Sequence, residues 1–241
     1  MRYYYDFHIH SCLSPCGDDD MTPNNIVNMS ILKGLDIIAL TDHNCAANIP
    51  AVLKCAKGRI TVLCGMEIES CEEVHMICLF DEWDKCKKMW EIVRAEMNII
   101  KNDAEIFGEQ LIMNENDEIS GKIDNLLVIA TRMSVYDICR RVHEMGGVCI
   151  AAHVDKSSYS ILSNLGFIPD DLNIDCIEIS RRGDCDSLFS SNEYLKKYMA
   201  LFSSDAHYLE DISERENFME IDENVHLSAK SVVEFLKREK Q

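Results

Sequence analysis

The sequence predicts an α/β fold with a mostly parallel sheet and one chemically active end. Two observations carry that expectation. Strand-like and helix-like segments alternate along the chain. Short apolar runs also end repeatedly in residues of the kind that bind metal ions. His8 and His10 close the opening run, and Asp42 and His43 follow Leu35–Leu40. Glu67 ends the run from Ile60, His153 follows Val148–Ala152, and Asp205 and His207 follow Met199–Ser204. Ligands at the C-terminal ends of strands are how an α/β barrel assembles an active site.

The elements follow in order. Residues 3–9 read as a strand rich in aromatic and apolar side chains. Thr22-Pro23 opens a helix to about Lys33, with Thr22 as N-cap and Pro23 at the first helical position, and Gly34 stops it. A strand at 36–40, a helix near 46–57 and strands at 60–68 and 74–80 come next. Trp83, Met89, Trp90, Ile92, Val93 and Met97 lie near helical spacing within 82–100. The rhythm then breaks. Leu111–Met113 and Glu118–Ser120 flank Asn114-Glu115-Asn116-Asp117 as a hairpin or loop, and 83–132 is expected to be an insertion or cap on a single domain spanning 1–241. Ser134 caps a helix ended by Gly146-Gly147. Strands at 148–152, 175–179 and 199–203 follow, and Ser228 caps a last helix over 228–239.

Composition narrows the function classes. At 241 residues the chain can bury one large core, and no apolar run approaches a membrane span. The start, Met1-Arg2-Tyr3-Tyr4-Tyr5-Asp6, lacks the apolar centre of a signal peptide, so a cytoplasmic location is expected. The 12 cysteines form no C-x-x-C pair, and several sit within apolar runs, which favours reduced core thiols. Cys12 and Cys16 flank the loop after His10. They are read as loop-filling residues rather than ligands, although thiols there would respond to oxidation or thiophilic metals. A formal charge of -18 excludes a protein that coats nucleic acid nonspecifically. An anionic substrate remains possible, because bound ions set the local field.

Each candidate ligand has an ordinary explanation by itself. Asp42 could cap a helix, and His75, inside an apolar strand, could be a satisfied core histidine. Jointly, six of the eight histidines mark strand segments, and only His143 and His226 fall in ordinary helix and turn surroundings. His8 and His10 are two apart on a strand, so both rings leave one face. Glu67 at a strand end would be costly unless paired or coordinated. The number of candidates exceeds the needs of one ion. Mixed imidazole and carboxylate donors suit two or three Mn, Fe or Zn ions better than Ca or Mg.

This order of motifs resembles the polymerase and histidinol phosphatase (PHP) family of metal-dependent phosphoesterases. The matching segments are Asp6-Phe7-His8-Ile9-His10-Ser11, Leu40-Thr41-Asp42-His43-Asn44, Gly65-Met66-Glu67-Ile68, Val74-His75-Met76, Ala151-Ala152-His153 and Ser203-Ser204-Asp205-Ala206-His207. The resemblance implies a distorted seven-stranded β/α barrel. It also implies His8, His10, Glu67 and Asp205 as ligands of one ion, and Asp18, His43 and the bridging Glu67 for a second. His75, His153 and His207 would hold a third. The family's loop runs from H-x-H through Ser-Asp-Gly to the helix-opening Pro. Here it reads Ser14-Pro15-Cys16-Gly17-Asp18-Asp19-Asp20, so Asp18 is the choice counting back from Pro23 and Asp20 the alternative.

The chemistry implied is hydrolysis of a phosphomonoester or phosphodiester by a metal-bridging hydroxide. Arg181 and Arg182 follow a strand and could clamp a phosphate in bidentate fashion. Lys156 and Asp155 are further pocket candidates, and Asp42 or His207 could handle protons. The expected substrate is a nucleotide, another phosphorylated small molecule or a short oligonucleotide end. A metal-binding accessory module without turnover and a histidinol-phosphatase-like enzyme are the alternatives. An amide hydrolase is disfavoured, since no lysine holds the place of a metal-bridging one.

Overall fold

The computed structural model describes residues 1–181 and 183–238. The chain opens with β1 (Arg2–Ile9), α1 (Pro23–Leu32), β2 (Ile37–Leu40), α2 (Ile49–Ala56), β3 (Thr61–Glu69) and β4 (His75–Phe80). The middle carries α3 (Trp83–Glu96), α4 (Ala104–Phe107), β5 (Leu111–Met113), β6 (Ile119–Lys122) and α5 (Val135–Glu144). The last part holds β7 (Val148–Ala151), α6 (Ile161–Leu165), β8 (Cys176–Ser180), α7 (Cys185–Ser191), β9 (Met199–Ser203), β10 (Phe218–Glu220) and α8 (Ala229–Arg238). The expected caps are present. Thr22 Oγ1 accepts from Asn25 N at 3.4 Å, Ser134 Oγ from Asp137 N at 3.1 Å and Ser228 Oγ from Ser231 N at 3.2 Å.

The main sheet runs β10-β1-β2-β3-β4-β7-β8-β9. β1, β2 and β3 are parallel, as are β7, β8 and β9, and β4 joins the two sets antiparallel to both neighbours. The sheet curls until the chain beyond β9 meets β1. Ile9 bridges Ala206, with Ala206 N donating to His8 O at 3.1 Å and His10 N to Ala206 O at 2.9 Å. Further down, side chains replace the ladder: Ser203 Oγ accepts from Phe7 N and Tyr5 Oη from Phe202 N. β10 pairs with the first residues of β1. Backbone closure is therefore confined to one end, which gives the distorted α/β barrel its ligand-bearing rim.

Strand alternation sorts the core into two clusters. Ile37, Ala39, Leu63, Ile77, Leu79, Ile150 and Leu201 share one cluster with Val232 and Leu236 of α8. Ile38, Leu40, Val62, Cys64, Met76 and Cys78 face the other way, among residues of α1, α2, α3 and α5. Tyr5 and Phe7 belong to the first cluster, but Ile9 belongs to the second. The register of β1 against β2 shifts between Asp6 and Ile9, and such a shift reverses which face each residue takes. That irregularity turns His8 and His10 to the face of Tyr5 and Phe7.

Segment 83–132 has two parts. Cys86, Met89 and Val93 of α3 are buried in the outer cluster, with Trp83 and Trp90 packed against it. The β5–β6 hairpin braces the loop after β1. Leu111 N donates to Cys12 O at 3.0 Å, and Met113 N to Asn48 Oδ1 at 2.9 Å. Gly108 (φ 97°) lies so close that a Cβ there would sit 2.3 Å from Pro15 O. No disulfide occurs among the described residues, and none of their helices is long and apolar enough to cross a membrane.

Candidate metal centre

Glu67 is the hub of the site. It points inward from β3, four residues beyond Leu63 on the same face, and is 1% exposed. Its Oε1 lies 3.3 Å from His8 Nε2, 2.9 Å from His75 Nδ1 and 3.2 Å from His153 Nε2. Its Oε2 lies 3.0 Å from His43 Nδ1 and 3.5 Å from His10 Nε2. Asp205 Oδ1 stands 3.2 Å from both His8 Nε2 and His10 Nε2. Because β4 runs against its neighbours, its first residue, His75, reaches the same end as the last residues of β3 and pairs with Glu69.

The donor geometry suits bound cations. His8 Nε2 and His10 Nε2 face each other at 3.0 Å, each with a ring nitrogen already engaged behind. His75 Nδ1 is 2.9 Å from Glu67 yet lacks the alignment of a hydrogen bond, and it is left without a partner, as is His153 Nδ1. Ligand atoms gather in three sets: His10, His43 and His207; His8, His10 and Glu67; His43, Glu67 and His75. Non-glycine residues with positive φ cluster at this rim, among them Asn44 (49°), His153 (27°) and Asp205 (54°), as strained backbone does at functional sites.

A second layer holds the rings. Glu178 on β8 accepts from His8 Nδ1 at 2.9 Å and from His153 N at 3.0 Å. Ser14 Oγ contacts His10 Nδ1 at 3.1 Å, accepts from His43 N at 3.1 Å and donates to Asp42 Oδ1 at 2.8 Å. Such partners fix the tautomer and orientation of ligand histidines. Electrostatics follows from the packing. Burial raises the cost of ionising Glu67, but His75, His8 and His43 outweigh it and hold its pKa well below the usual carboxylate range. Burial lowers His8, and Glu178, Asp205 and Glu67 more than reverse it, so its pKa rises well above normal. His10 goes the other way, depressed by burial and by the neighbouring His207 and His43.

The structure brings together His8, His10, His43, Glu67, His75, His153, Asp205 and His207. His207 Nδ1 lies 2.8 Å from Asp205 O, which leaves Nε2 for the cluster. Asp18 is at the rim, its amide donating to His207 O at 2.9 Å, but its Oδ1 accepts from Asp20 N at 2.9 Å. Asp20 is exposed. Asp42 is behind the site, and its carboxylate takes bonds from Ser11 N, Ser11 Oγ and Ser14 Oγ at 2.7, 2.7 and 2.8 Å. Those bonds make it a brace for the loop rather than a group facing the cavity. Arg181 is exposed, with Nη1 on Asp211 O at 3.5 Å, and does not line the cavity; Arg182 lies outside the described residues. His143 pairs with Asp175 at 2.6 Å, and His226 is exposed.

Sequence reading missed Glu178 and undervalued Lys156. The signal for Glu178 was a lone acid within the apolar run Cys176–Ser180. Lys156 contacts Asp205 Oδ2 and lines a cavity of about 180 Å³ with His43, Glu67, His75, His153, Tyr159 and His207. The Tyr159 ring stacks on His75 at 4.8 Å.

Comparison with known proteins decides the family. A model of the PHP domain matches residues 6–211. The chain belongs to the PHP domain family. No curated protein matches its sequence. Among solved structures, the lesion-specific endonuclease Q of Pyrococcus furiosus superposes with a TM-score of 0.71 at 18% identity, over 98% of this chain and 56% of that one. An endonuclease Q complexed with a 27-mer duplex carrying an abasic lesion at its active site gives 0.71 at 17%, over 98% and 57%. A protein of Bifidobacterium adolescentis described as a metal-dependent phosphoesterase gives 0.61 at 19%, over 96% and 95%. These likenesses establish the shared fold. This PHP chain spans little more than half the length of the endonuclease Q chains.

Proposed function

We propose that the protein is a metal-dependent phosphoesterase acting on a nucleotide or a short nucleic acid end. One observation carries the reading. A single buried carboxylate, Glu67, has ring nitrogens of His8, His43, His75 and His153 within 3.3 Å of its two oxygens. Imidazoles and a carboxylate converging at that density are a cation-binding arrangement, not a packing solution. His8, His10, Glu67 and Asp205 would hold one ion, His43 and Glu67 a second, and His75, His153 and His207 a third. Bound Mn, Fe or Zn ions would supply Lewis-acid charge and an acidified water for attack on phosphorus.

The chain's own groups do the rest. Glu178 and Ser14 keep His8 and His10 turned toward the cluster. Lys156, the only lysine or arginine lining the cavity among the described residues, would place a cation where a phosphoryl oxygen enters. Tyr159 and His207 form part of the wall and shield the reacting group from bulk water. At about 180 Å³ the cavity is smaller than the ~300–1,000 Å³ typical of whole-ligand pockets, so it suits a phosphoryl group whose remaining structure extends over the rim. The hairpin and loops of 83–132 are the part of the chain proposed to cap that rim. The endonuclease Q complex carries duplex DNA, which makes a nucleic acid ester the first substrate class to test.

The test is phosphate release from mononucleotides, 3′,5′-bisphosphates, short oligonucleotides and histidinol phosphate, with Mn²⁺ present and His8→Ala as control. Gel analysis of the oligonucleotides reports diester cleavage. Activity that the control lacks supports the proposal. Full metal occupancy with no hydrolysis across the panel would instead favour an accessory metal-binding module.

A further inference from the structure

A second cavity, of about 300 Å³, opens between the C-terminal half of α3 and the chain at 122–127. Trp90, Met97, Ile99 and Leu127 give it apolar walls. Its charged groups are Arg94, Lys122 and Asp124. It shares no lining residue with the metal cavity. Asn44, the neighbour of His43, braces its wall, with Nδ2 donating to Leu127 O at 2.7 Å and to Ile129 O at 2.9 Å.

The walls are held by hydrogen bonds rather than by chance packing. Gln110 is buried and gives its whole amide to one wall. Its Nε2 donates to Ile123 O at 2.7 Å and to Asn125 O at 2.8 Å, and its Oε1 accepts from Leu127 N at 2.9 Å. Asn125 ties that wall to the opposite one. Its Oδ1 accepts from Ile100 N at 2.8 Å, and its Nδ2 donates to Asn98 O at 3.0 Å. Ile99 is thereby fixed at the lip, 96% exposed. The cations are poorly neutralised. Among the described residues no carboxylate pairs with Arg94, whose guanidinium carbon lies 5.5 Å from the centre of the Trp90 ring. Lys122 Nζ meets a carboxylate only at 4.0 Å, at Glu109, with both side chains exposed. In a chain of 24 basic and 42 acidic residues, two such cations at one apolar cavity stand out from the general field.

We propose that this cavity is a second ligand site, separate from the metal centre, for an aromatic anion the size of a nucleoside monophosphate. Its volume matches the lower end of small-molecule pockets, ~300 Å³. A planar ring suits apolar walls that include Trp90 and a guanidinium, both of which stack favourably on aromatic systems. Arg94 and Lys122 supply the charge for a phosphate, the arginine in bidentate fashion. Asp124 is left to accept from a ring amine or a sugar hydroxyl. Ring and charge are needed together. A neutral aromatic leaves the two cations without a partner, and a bare sugar phosphate leaves the apolar walls wet. The inference does not depend on what the metal centre hydrolyses.

Calorimetric titration of the full chain with AMP, adenosine and ribose 5-phosphate tests the site, before and after chelation. Chelation stops hydrolysis at the metal centre and leaves this cavity as it is. AMP should bind in both preparations, with adenosine and ribose 5-phosphate each weaker by at least about 10-fold. Arg94→Ala and Lys122→Ala should each raise the Kd for AMP by about 10-fold or more. Both side chains are exposed, so their removal leaves the core in place. Ile123→Trp, which fills the cavity and keeps both charges, should abolish binding. Trp83→Phe leaves Trp90 as the only tryptophan, and its fluorescence should change with AMP at the same Kd. No AMP binding at millimolar concentration would overturn the proposal, as would an affinity that neither Arg94→Ala nor Lys122→Ala moves. Adenosine binding as tightly as AMP would refute the anion. A Kd that follows Lys156→Ala instead would put the nucleotide in the metal cavity and equally overturn the second site. None of these results bears on the metal reading, which stands or falls on the hydrolysis panel.

Discussion

Glu178 offers the sharpest test of how the site is assembled, because it binds no substrate-facing atom and works only through others. Its carboxylate takes His8 Nδ1 at 2.9 Å and His153 N at 3.0 Å, and it is 1% exposed. Glu178→Gln keeps the volume and one acceptor oxygen but removes the charge that favours the His8 Nδ1–H tautomer. Losing such a partner costs about 10- to 100-fold in metal affinity, or about 1.4–2.8 kcal/mol at about 1.4 kcal/mol per decade. Glu178→Ala strands two buried donors, at about 1–3 kcal/mol each, so about 2–6 kcal/mol of folding stability should go. Against the ~5–15 kcal/mol of an ordinary domain that is a severe loss. Calorimetric metal titration against a competing chelator, with thermal unfolding of the metal-free proteins, measures both. If Glu178→Gln binds its ions within a factor of about 3 of the unaltered protein, where the carboxylate argument requires at least about 10, the reasoning is wrong.

Four further expectations follow from the same geometry. Glu67→Ala removes the carboxylate shared by the imidazoles and should abolish both metal retention, read by elemental analysis, and hydrolysis; a variant that keeps its full metal complement would contradict the hub. Lys156→Ala should raise KM for an anionic ester more than it lowers kcat, by about 1.5–3 kcal/mol of lost charge-assisted bonding, read by steady-state kinetics. His43 in the metal-free protein has its pKa raised to about 9, burial lowering it but Glu67 and the Cys16 contact outweighing burial. A raised histidine pKa contributes stability fully present below the unfolded value of 6.5 and lost as pH climbs through about 9. The thermal midpoint of the metal-free protein relative to His43→Gln should therefore fall across that window. Metal uptake near neutral pH should also release a proton, visible as a buffer-dependent binding enthalpy.

Much of the fold was legible because the strands state their own boundaries. Ile37–Leu40, Val148–Ala152 and Cys176–Ser180 are short, largely apolar runs flanked by polar or glycine residues, and each holds a strand. The antiparallel run of β4 had one local hint, a histidine that precedes its apolar stretch instead of ending it. Seven of the eight ligand candidates that converge were legible from their places at strand ends, and His75 from the family resemblance. What could not be read was anything decided by how loops fold back. Asp18 donates its amide to His207 O and accepts from Asp20 N through Oδ1, a placement set by the turns at Ser14 and Gly17. Asp42 was offered beside His207 as a group that could handle protons, and its oxygens accept bonds from Ser11 and Ser14. Glu178 was hidden because a single acid inside a strand carries no motif.

The acidic balance of the chain and the proposed anionic substrate are compatible through Asp205 and Lys156. A protein of formal charge -18 repels phosphate esters at long range, so attraction must be generated locally. Asp205 Oδ1 faces His8 and His10 while Oδ2 is held by Lys156. The lysine thereby fixes which oxygen is offered to the cluster. Cations bound by Glu67 and Asp205 would reverse the sign of the cavity, draw on both carboxylates and leave the ammonium of Lys156 less neutralised at the mouth. The same ion pair then serves two states. It orders the carboxylate before metal arrives, and it supplies positive charge at the entrance afterwards. Attraction confined in this way to a small cavity reaches only a phosphate already at the rim, since exposed charges are screened within about 8–10 Å at ordinary ionic strength. Selectivity for a particular ester must therefore come from contacts made outside the cavity by the surrounding loops, not from the field of the protein as a whole.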